Sequence, residues 1–278
     1  HIAYAARDDK GVARVWLRSL DSSEARPLAG TEGVKTEGRP FWSPASRHVA
    51  YFTSDMLFKV PIDGRPPQKI CHAAGAHASW SEPGTILFDG STDAPILGVP
   101  AAGGVPKVVV ASGEGEDHDY QVAWPQFLPG GERFLFVIFG GADSDDGVWI
   151  ADADGGHRRR VVAGLSRVEY APPGWLLFVR GTTLVAQRLD PASGELSGEP
   201  IPVADGLGVT GTGLAEFSVA REGVLAYRAT GGGQDQLAFF DRRGARESAP
   251  VVTGDVNHPV LSPDGRWLAY ASNEGGGA

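Results

Sequence analysis

The sequence predicts an all-β fold, a six-bladed β-propeller of four-stranded antiparallel blades whose sixth blade is composed from both chain ends. Three observations predict it. An aromatic residue or Leu ahead of a turn recurs at Trp42, Trp80, Phe127, Tyr170, Phe217 and Leu261, at spacings of 38, 47, 43, 47 and 44 residues, a period that suits one blade per copy. The 278 residues include 39 Gly and 20 Pro with no collagen-like period, so these residues punctuate many short elements. The first residues, His1-Ile2-Ala3-Tyr4-Ala5, match Trp267-Leu268-Ala269-Tyr270-Ala271 near the other end, so the two ends carry parts of one unit.

Each element of a blade can be read in order. The phrase His258-Pro259-Val260-Leu261-Ser262-Pro263-Asp264-Gly265-Arg266-Trp267-Leu268-Ala269-Tyr270 holds an apolar strand, a turn and a second apolar strand. Pro presets φ for the turn, Asp bonds its local backbone, and Gly takes the position with positive φ. Variants of the phrase lead into Val49-Ala50-Tyr51-Phe52, Ile86-Leu87-Phe88, Phe134-Leu135-Phe136-Val137, Leu176-Leu177-Phe178-Val179 and Val224-Leu225-Ala226-Tyr227. A third strand follows, as in Val148-Trp149-Ile150-Ala151 or Leu237-Ala238-Phe239-Phe240, and then a short fourth, as in Lys107-Val108-Val109-Val110 or Arg159-Arg160-Val161-Val162. Four strands make the blade of a propeller. The repeat units are expected at about 1–37, 38–75, 76–119, 120–165, 166–212 and 213–256, with a closing segment at 257–278, all within one domain.

The closing segment is expected to supply His258 to Pro263 as the inner strand of the composite blade, whose other strands run from the N-terminus through Arg26-Pro27-Leu28. Trp267 to Ser272 then duplicates the N-terminal strand. Either two strands compete for one place, or the chain is a piece of a longer array.

Charge and cysteine usage narrow the partners. The formal net charge is −9, and Arg158-Arg159-Arg160 is the densest basic run, so no footprint for a phosphate backbone exists and nucleic acid is not expected. Cys71 is the sole cysteine, which forbids an intrachain disulfide and a cysteine-rich zinc site. No stretch approaches ~18 consecutive apolar residues, so no membrane contact by this segment is expected. The chain reads as a piece of a longer precursor.

The Ser-Pro-Asp-Gly-Arg-Trp-Leu-Ala-Tyr-Ala-Ser phrase resembles the WD-like repeat of TolB-type propellers. Val15-Trp16-Leu17-Arg18-Ser19-Leu20-Asp21, Trp124-Pro125-Gln126-Phe127-Leu128-Pro129-Gly130-Gly131, Tyr170-Ala171-Pro172-Pro173-Gly174-Trp175-Leu176-Leu177-Phe178-Val179-Arg180 and Gly223-Val224-Leu225-Ala226-Tyr227-Arg228 are similar to the C-terminal propeller of bacterial membrane-bound Ser/Thr protein kinases. That resemblance implies a cytoplasmic kinase domain, one membrane helix and an extracytoplasmic propeller that senses a ligand or binds a partner protein. It implies no catalytic residues and no cofactor in this segment. The kinase motifs, a glycine-rich loop with its strand lysine, a His-Arg-Asp loop and Asp-Phe-Gly, are absent.

Enzymatic chemistry stands as the alternative to a binding role. The nucleophile elbow Gly-x-Ser-x-Gly does not occur, which removes the serine-hydrolase reading. A propeller enzyme, a metal-assisted lyase or a lactonase-like hydrolase working at the channel mouth, stays as the alternative to a non-catalytic module. Three residues before the anchors Trp42, Trp80, Phe127, Tyr170, Phe217 and Leu261 stand Arg39, His77, Trp124, Arg167, Leu214 and His258, each at the entrance of an innermost strand and so near the mouth of the channel. Glu169 and Glu216 follow two places along their strands. Arg39, His77, Trp124, Arg167, His258, Glu169 and Glu216 are therefore the candidate ligand-binding residues, for a small anionic or sugar-like ligand, with no metal assigned. The same residue types also serve as ordinary hydrogen-bonding groups at strand starts. Gly113 to Asp119 and Asp143 to Asp146 read as solvated acidic loops, because the fixed spacing of a calcium loop is missing.

Overall fold

The computed structural model describes residues 2–272 except 9, 20–24, 37, 91–93, 114–119, 141–145, 210–214, 216, 222, 229–235, 241–251, 254–255 and 264–267. Among the described residues the chain is all β, and no helix is long and apolar enough to cross a membrane.

The N-terminal strands β1 (Ile2–Arg7), β2 (Ala13–Arg18) and β3 (Ala25–Pro27) begin a sheet that the C-terminus completes. Five four-stranded antiparallel sheets follow in chain order. Sheet I holds β4 (Phe41–Trp42), β5 (His48–Phe52), β6 (Met56–Pro61) and β7 (Gln68–His72). Sheet II holds β8 (Ala78–Trp80), β9 (Thr85–Asp89), β10 (Ile96–Pro100) and β11 (Lys107–Val110). Sheet III holds β12 (Gln121–Phe127), β13 (Arg133–Phe139), β14 (Gly147–Asp152) and β15 (Arg159–Ala163). Sheet IV holds β16 (Glu169–Ala171), β17 (Trp175–Arg180), β18 (Thr183–Leu189) and β19 (Leu196–Ala204). Sheet V holds β20 (Phe217–Val219), β21 (Leu225–Arg228), β22 (Gln236–Phe240) and β23 (Val252–Thr253). The last hairpin, β24 (Val256–Leu261) and β25 (Leu268–Ser272), joins the first three strands in the order β24-β25-β1-β2-β3.

The composite sheet therefore has five strands, which corrects the expectation of four. The duplicate strand is kept rather than displaced. β25 stays paired with β24 as a local antiparallel hairpin, with Val260 opposite Ala269 and Leu261 opposite Leu268. It then lies parallel to β1, with Ser272 opposite Ala6. A hairpin closed over a few residues costs less chain entropy than pairing strands from opposite ends, so β24 keeps its sequence neighbour. The parallel pair needs a long crossover, and the rest of the chain supplies it.

Strand periodicity explains the packing. In β13 the residues alternate between faces: Phe134, Phe136 and Ile138 pack toward sheet II, while Leu135 and Val137 pack toward sheet IV. In β17, Leu176 and Phe178 face sheet III and Leu177 and Val179 face sheet V. In β5, Val49 and Tyr51 join Val15 and Leu28 of the N-terminal segment, and Ala50 and Phe52 join Phe88 of sheet II. β5, β13 and β17 are thus buried on both faces, which is why each reads as an unbroken apolar run. Each fully buried Phe contributes about 1.5–3 kcal/mol. β20 and β21 lie against β24, which brings the last sheet to the composite one. The outer strands β3, β7, β11, β15 and β19 carry exposed side chains, and Arg159 and Arg160 open β15 on such an edge, where charge discourages foreign strands.

Candidate functional site

The innermost strands β4, β8, β12, β16, β20 and β24 bring the repeat column to one place. Arg39, His77, Trp124, Arg167 and Glu169 all line a central cavity of about 220 Å³. Glu216 and Leu214 lie outside the described residues, and so do the acidic segments at 114–119 and 143–145. His258 belongs to β24, and its backbone alone is described. Among the described residues no group of three His, Cys, Asp or Glu side chains could hold a metal ion.

An innermost strand has one free edge, and its unpaired N–H groups need acceptors. Side chains of the preceding sheet provide them. Ser79 Oγ accepts from Phe127 N–H at 2.9 Å, Gln126 Oε1 from Tyr170 N–H at 2.9 Å, and Glu169 Oε2 from Val219 N–H at 2.6 Å. All three stand two places after a column residue, so one repeat position ties β8 to β12, β12 to β16 and β16 to β20.

At sheet IV this tie merges with an ion pair. Arg167 donates through Nη2 to Glu169 Oε1 and through Nη1 to the Phe217 carbonyl at 2.5 Å, and its guanidinium lies 5.0 Å from the centre of the Phe217 ring. Both side chains are buried, about 11% and 6% exposed. Arg39, buried on sheet I, also reaches the Phe217 carbonyl, at 3.4 Å. Two guanidinium groups from separate sheets meet at one oxygen. Burial also pushes the Tyr170 phenol, on the same cavity wall, above its ordinary range.

At sheets II and III a residue outside the sequence candidates organises the site. The Asp89 carboxylate is 7% exposed and fully engaged. Oδ1 accepts from Ala76 N–H at 3.3 Å and His77 N–H at 2.8 Å, and Oδ2 from Trp124 N–H at 3.1 Å and the His77 ring at 3.0 Å. A carboxylate can only accept here, so His77 Nδ1 is the donor. Its Nε2 is buried and, among the described residues, has no hydrogen-bond partner. The segment before His77 is pressed tight, since a Cβ on Gly75 would stand 2.6 Å from the Phe52 ring and 2.9 Å from the Asp89 carbonyl. Sequence reasoning missed Asp89, yet a signal exists: it is a charge at the end of the buried run Ile86-Leu87-Phe88.

Trp124 has φ of 56°, in the left-handed region, and sits in a bulge between Ala123 and Gln126. Pro125 has no N–H for the ladder, which forces the bulge. His258-Pro259 makes a matching irregularity between Asn257 and Val260 of β24. The Trp124 ring stacks on Phe139 at 6.0 Å and meets His77 edge-on at 6.1 Å.

The far end of the central cavity carries the turns. Glu82, after β8, and Arg221, after β20, pair at 2.7 Å across it, and Arg221 N–H donates to the Pro263 carbonyl at 2.9 Å. Sheets II and V are three steps apart in chain order, so this pair spans the cavity.

No family model matches the chain, and no curated protein matches it. Solved structures do. A TolB-type protein from Agrobacterium tumefaciens is 16% identical over 92% of this chain and 96% of its own, with a TM-score of 0.66. The calcium-binding protein regucalcin from the same organism is 16% identical over 82% of this chain and 79% of its own, with a TM-score of 0.57. The β-propeller domain of Myceliophteria thermophila Cps50 (Swd1) is 12% identical over 95% of this chain and 90% of its own, with a TM-score of 0.58. At such identities the likeness concerns the fold, and that fold is a TolB-like, WD-like β-propeller.

Proposed function

We propose that the six sheets are the blades of one closed propeller that acts as a non-catalytic binding module and seats a small anionic ligand in its central cavity. The observation that carries this reading is the meeting of Arg39 and Arg167 at the Phe217 carbonyl inside that cavity. An anionic oxygen in the cavity would accept charge-assisted bonds from both guanidinium groups. The Glu82–Arg221 pair closes the opposite end, so the ligand enters from the column side. Within a whole protein, the resemblance at Val15–Asp21, Trp124–Gly131 and Tyr170–Arg180 supports an extracytoplasmic sensing or protein-interaction domain of a bacterial membrane-bound Ser/Thr kinase.

Thermal unfolding with citrate, gluconate and inorganic phosphate, on the wild type and on Arg39→Gln, tests the cavity. A ligand at 100 times its Kd adds about 2.7 kcal/mol, or roughly 5–10 °C for a chain of this size. Arg39→Gln should abolish the shift. If no anion moves the wild-type midpoint, or if the variant shifts equally, the anion reading is wrong.

A further inference from the structure

A second cavity, of about 320 Å³, opens beside the central one over the junction of sheets II and III. It shares His77 and Trp124 with the central cavity, but neither Arg39 nor Arg167 lines it. Its wall also holds Lys35, Asp89 and Phe139. Three features of different chemistry meet here. Lys35 contributes an ammonium group that already reaches the Gly75 carbonyl, at 3.4 Å. The partly exposed Phe139 ring, backed by Trp124 at an interplanar angle of 16°, offers an aromatic surface. His77 is held by Asp89 through Nδ1, which fixes the ring, and its Nε2 is buried with no hydrogen-bond partner among the described residues.

Trp124 supplies an independent sign that this arrangement is maintained. A bulky aromatic residue at positive φ is a true backbone outlier, and such strain persists where the surroundings enforce it, often at binding sites. Here the enforcing contact is the Asp89 carboxylate on Trp124 N–H, at 3.1 Å. The same carboxylate therefore sets both the imidazole and the indole.

We propose that this rim cavity is a binding site for a small carboxylate that carries a hydroxyl group and an aromatic ring. The carboxylate pairs with Lys35. The hydroxyl donates to His77 Nε2, and the ring lies offset on Phe139, the arrangement aromatic pairs favour. Asp89 is a positioning residue, since it acts through His77 and Trp124. This site does not rest on the anion reading of the central cavity.

Saturation-transfer NMR and calorimetry with 3-phenyllactate test it on the whole chain. Three related probes each remove one feature: 3-phenylpropionate lacks the hydroxyl, 2-phenylethanol lacks the carboxylate, and lactate lacks the ring. Phenyllactate should bind the wild type, and 3-phenylpropionate should bind about tenfold more weakly, the worth of one hydrogen bond. Lys35→Met should weaken phenyllactate about as much while leaving 2-phenylethanol unchanged, and Phe139→Leu should weaken every ring-bearing probe. Arg39→Gln should change nothing. Should His77→Gln fail to fold, the Lys35 and Phe139 variants still decide. The proposal is overturned if phenyllactate gives no saturation transfer with the wild type, or if its affinity is unaffected in both variants. Loss of phenyllactate in Arg39→Gln alone would also overturn it, because the ligand would then occupy the central cavity.

Discussion

Just before β16, Arg167 closes on Glu169 two residues along its own strand, while just before β8, His77 finds its carboxylate, Asp89, at the end of the neighbouring strand β9. Both carboxylates are buried, and both also accept an N–H of the next sheet, Glu169 from Val219 and Asp89 from Trp124. The difference lies in what remains. Glu169 and Arg167 spend their hydrogen-bonding groups on each other and on β20. Asp89 satisfies four donors, while the far nitrogen of His77 is buried and, among the described residues, has no hydrogen-bond partner. One column of the repeat can thus hold sheets together at one blade and leave a directed group beside a cavity at another.

The Arg167–Glu169 node should give the largest effect when broken. Glu169→Ala strands a buried guanidinium and frees Val219 N–H, and losing one partner of a buried pair costs about 3–5 kcal/mol. The thermal midpoint should fall by roughly 10 °C or more, by circular dichroism. Glu169→Gln keeps an acceptor for Val219 and should cost less. Equal losses in the two variants would show that the charge of Glu169 does not matter, and the comparison would lose its first half.

At the other node the two partners should be unequal. Asp89→Asn removes the charge that holds three backbone N–H groups and one ring, with bonds to a charged acceptor each worth about 1.5–3 kcal/mol. His77→Ala leaves Asp89 with its three backbone donors and removes only one of the four bonds, so by the same reasoning it should cost about 1.5–3 kcal/mol, less than Asp89→Asn. Urea unfolding of both variants separates them. A His77→Ala loss as large as that of Asp89→Asn would mean that the imidazole serves mainly as structure.

These nodes were unevenly legible in the sequence. The repeat gave away Arg39, His77, Trp124 and Arg167 as one column, because a strand start is fixed by turn chemistry that short-range residues encode. The tie two places further on was visible as Glu169, but Ser79 and Gln126, which do the same work, carry no charge to draw notice. Asp89 was hidden because its partners lie 12 and 35 residues away, a distance that strand pairing and sheet packing set. The extra strand of the composite sheet was seen as a conflict, since alternation alone says that β1 and β25 each fit, not that they fit side by side.

The smallest effect belongs to the far end of the cavity, where Glu82 and Arg221 pair at 2.7 Å with both side chains about 48% exposed. This contact is as short as those of the buried nodes, and it links sheets further apart than either. Water screens it, however, and exposed pairs are worth about 0.2–1 kcal/mol. Glu82→Gln should lower the midpoint by no more than about 3 °C, and the difference should disappear in 1 M salt, where the Debye length shrinks to about 3 Å. Glu169→Ala should keep most of its cost in the same salt. If the two variants respond alike, burial does not separate the nodes from the far end, and the ranking drawn from exposure fails.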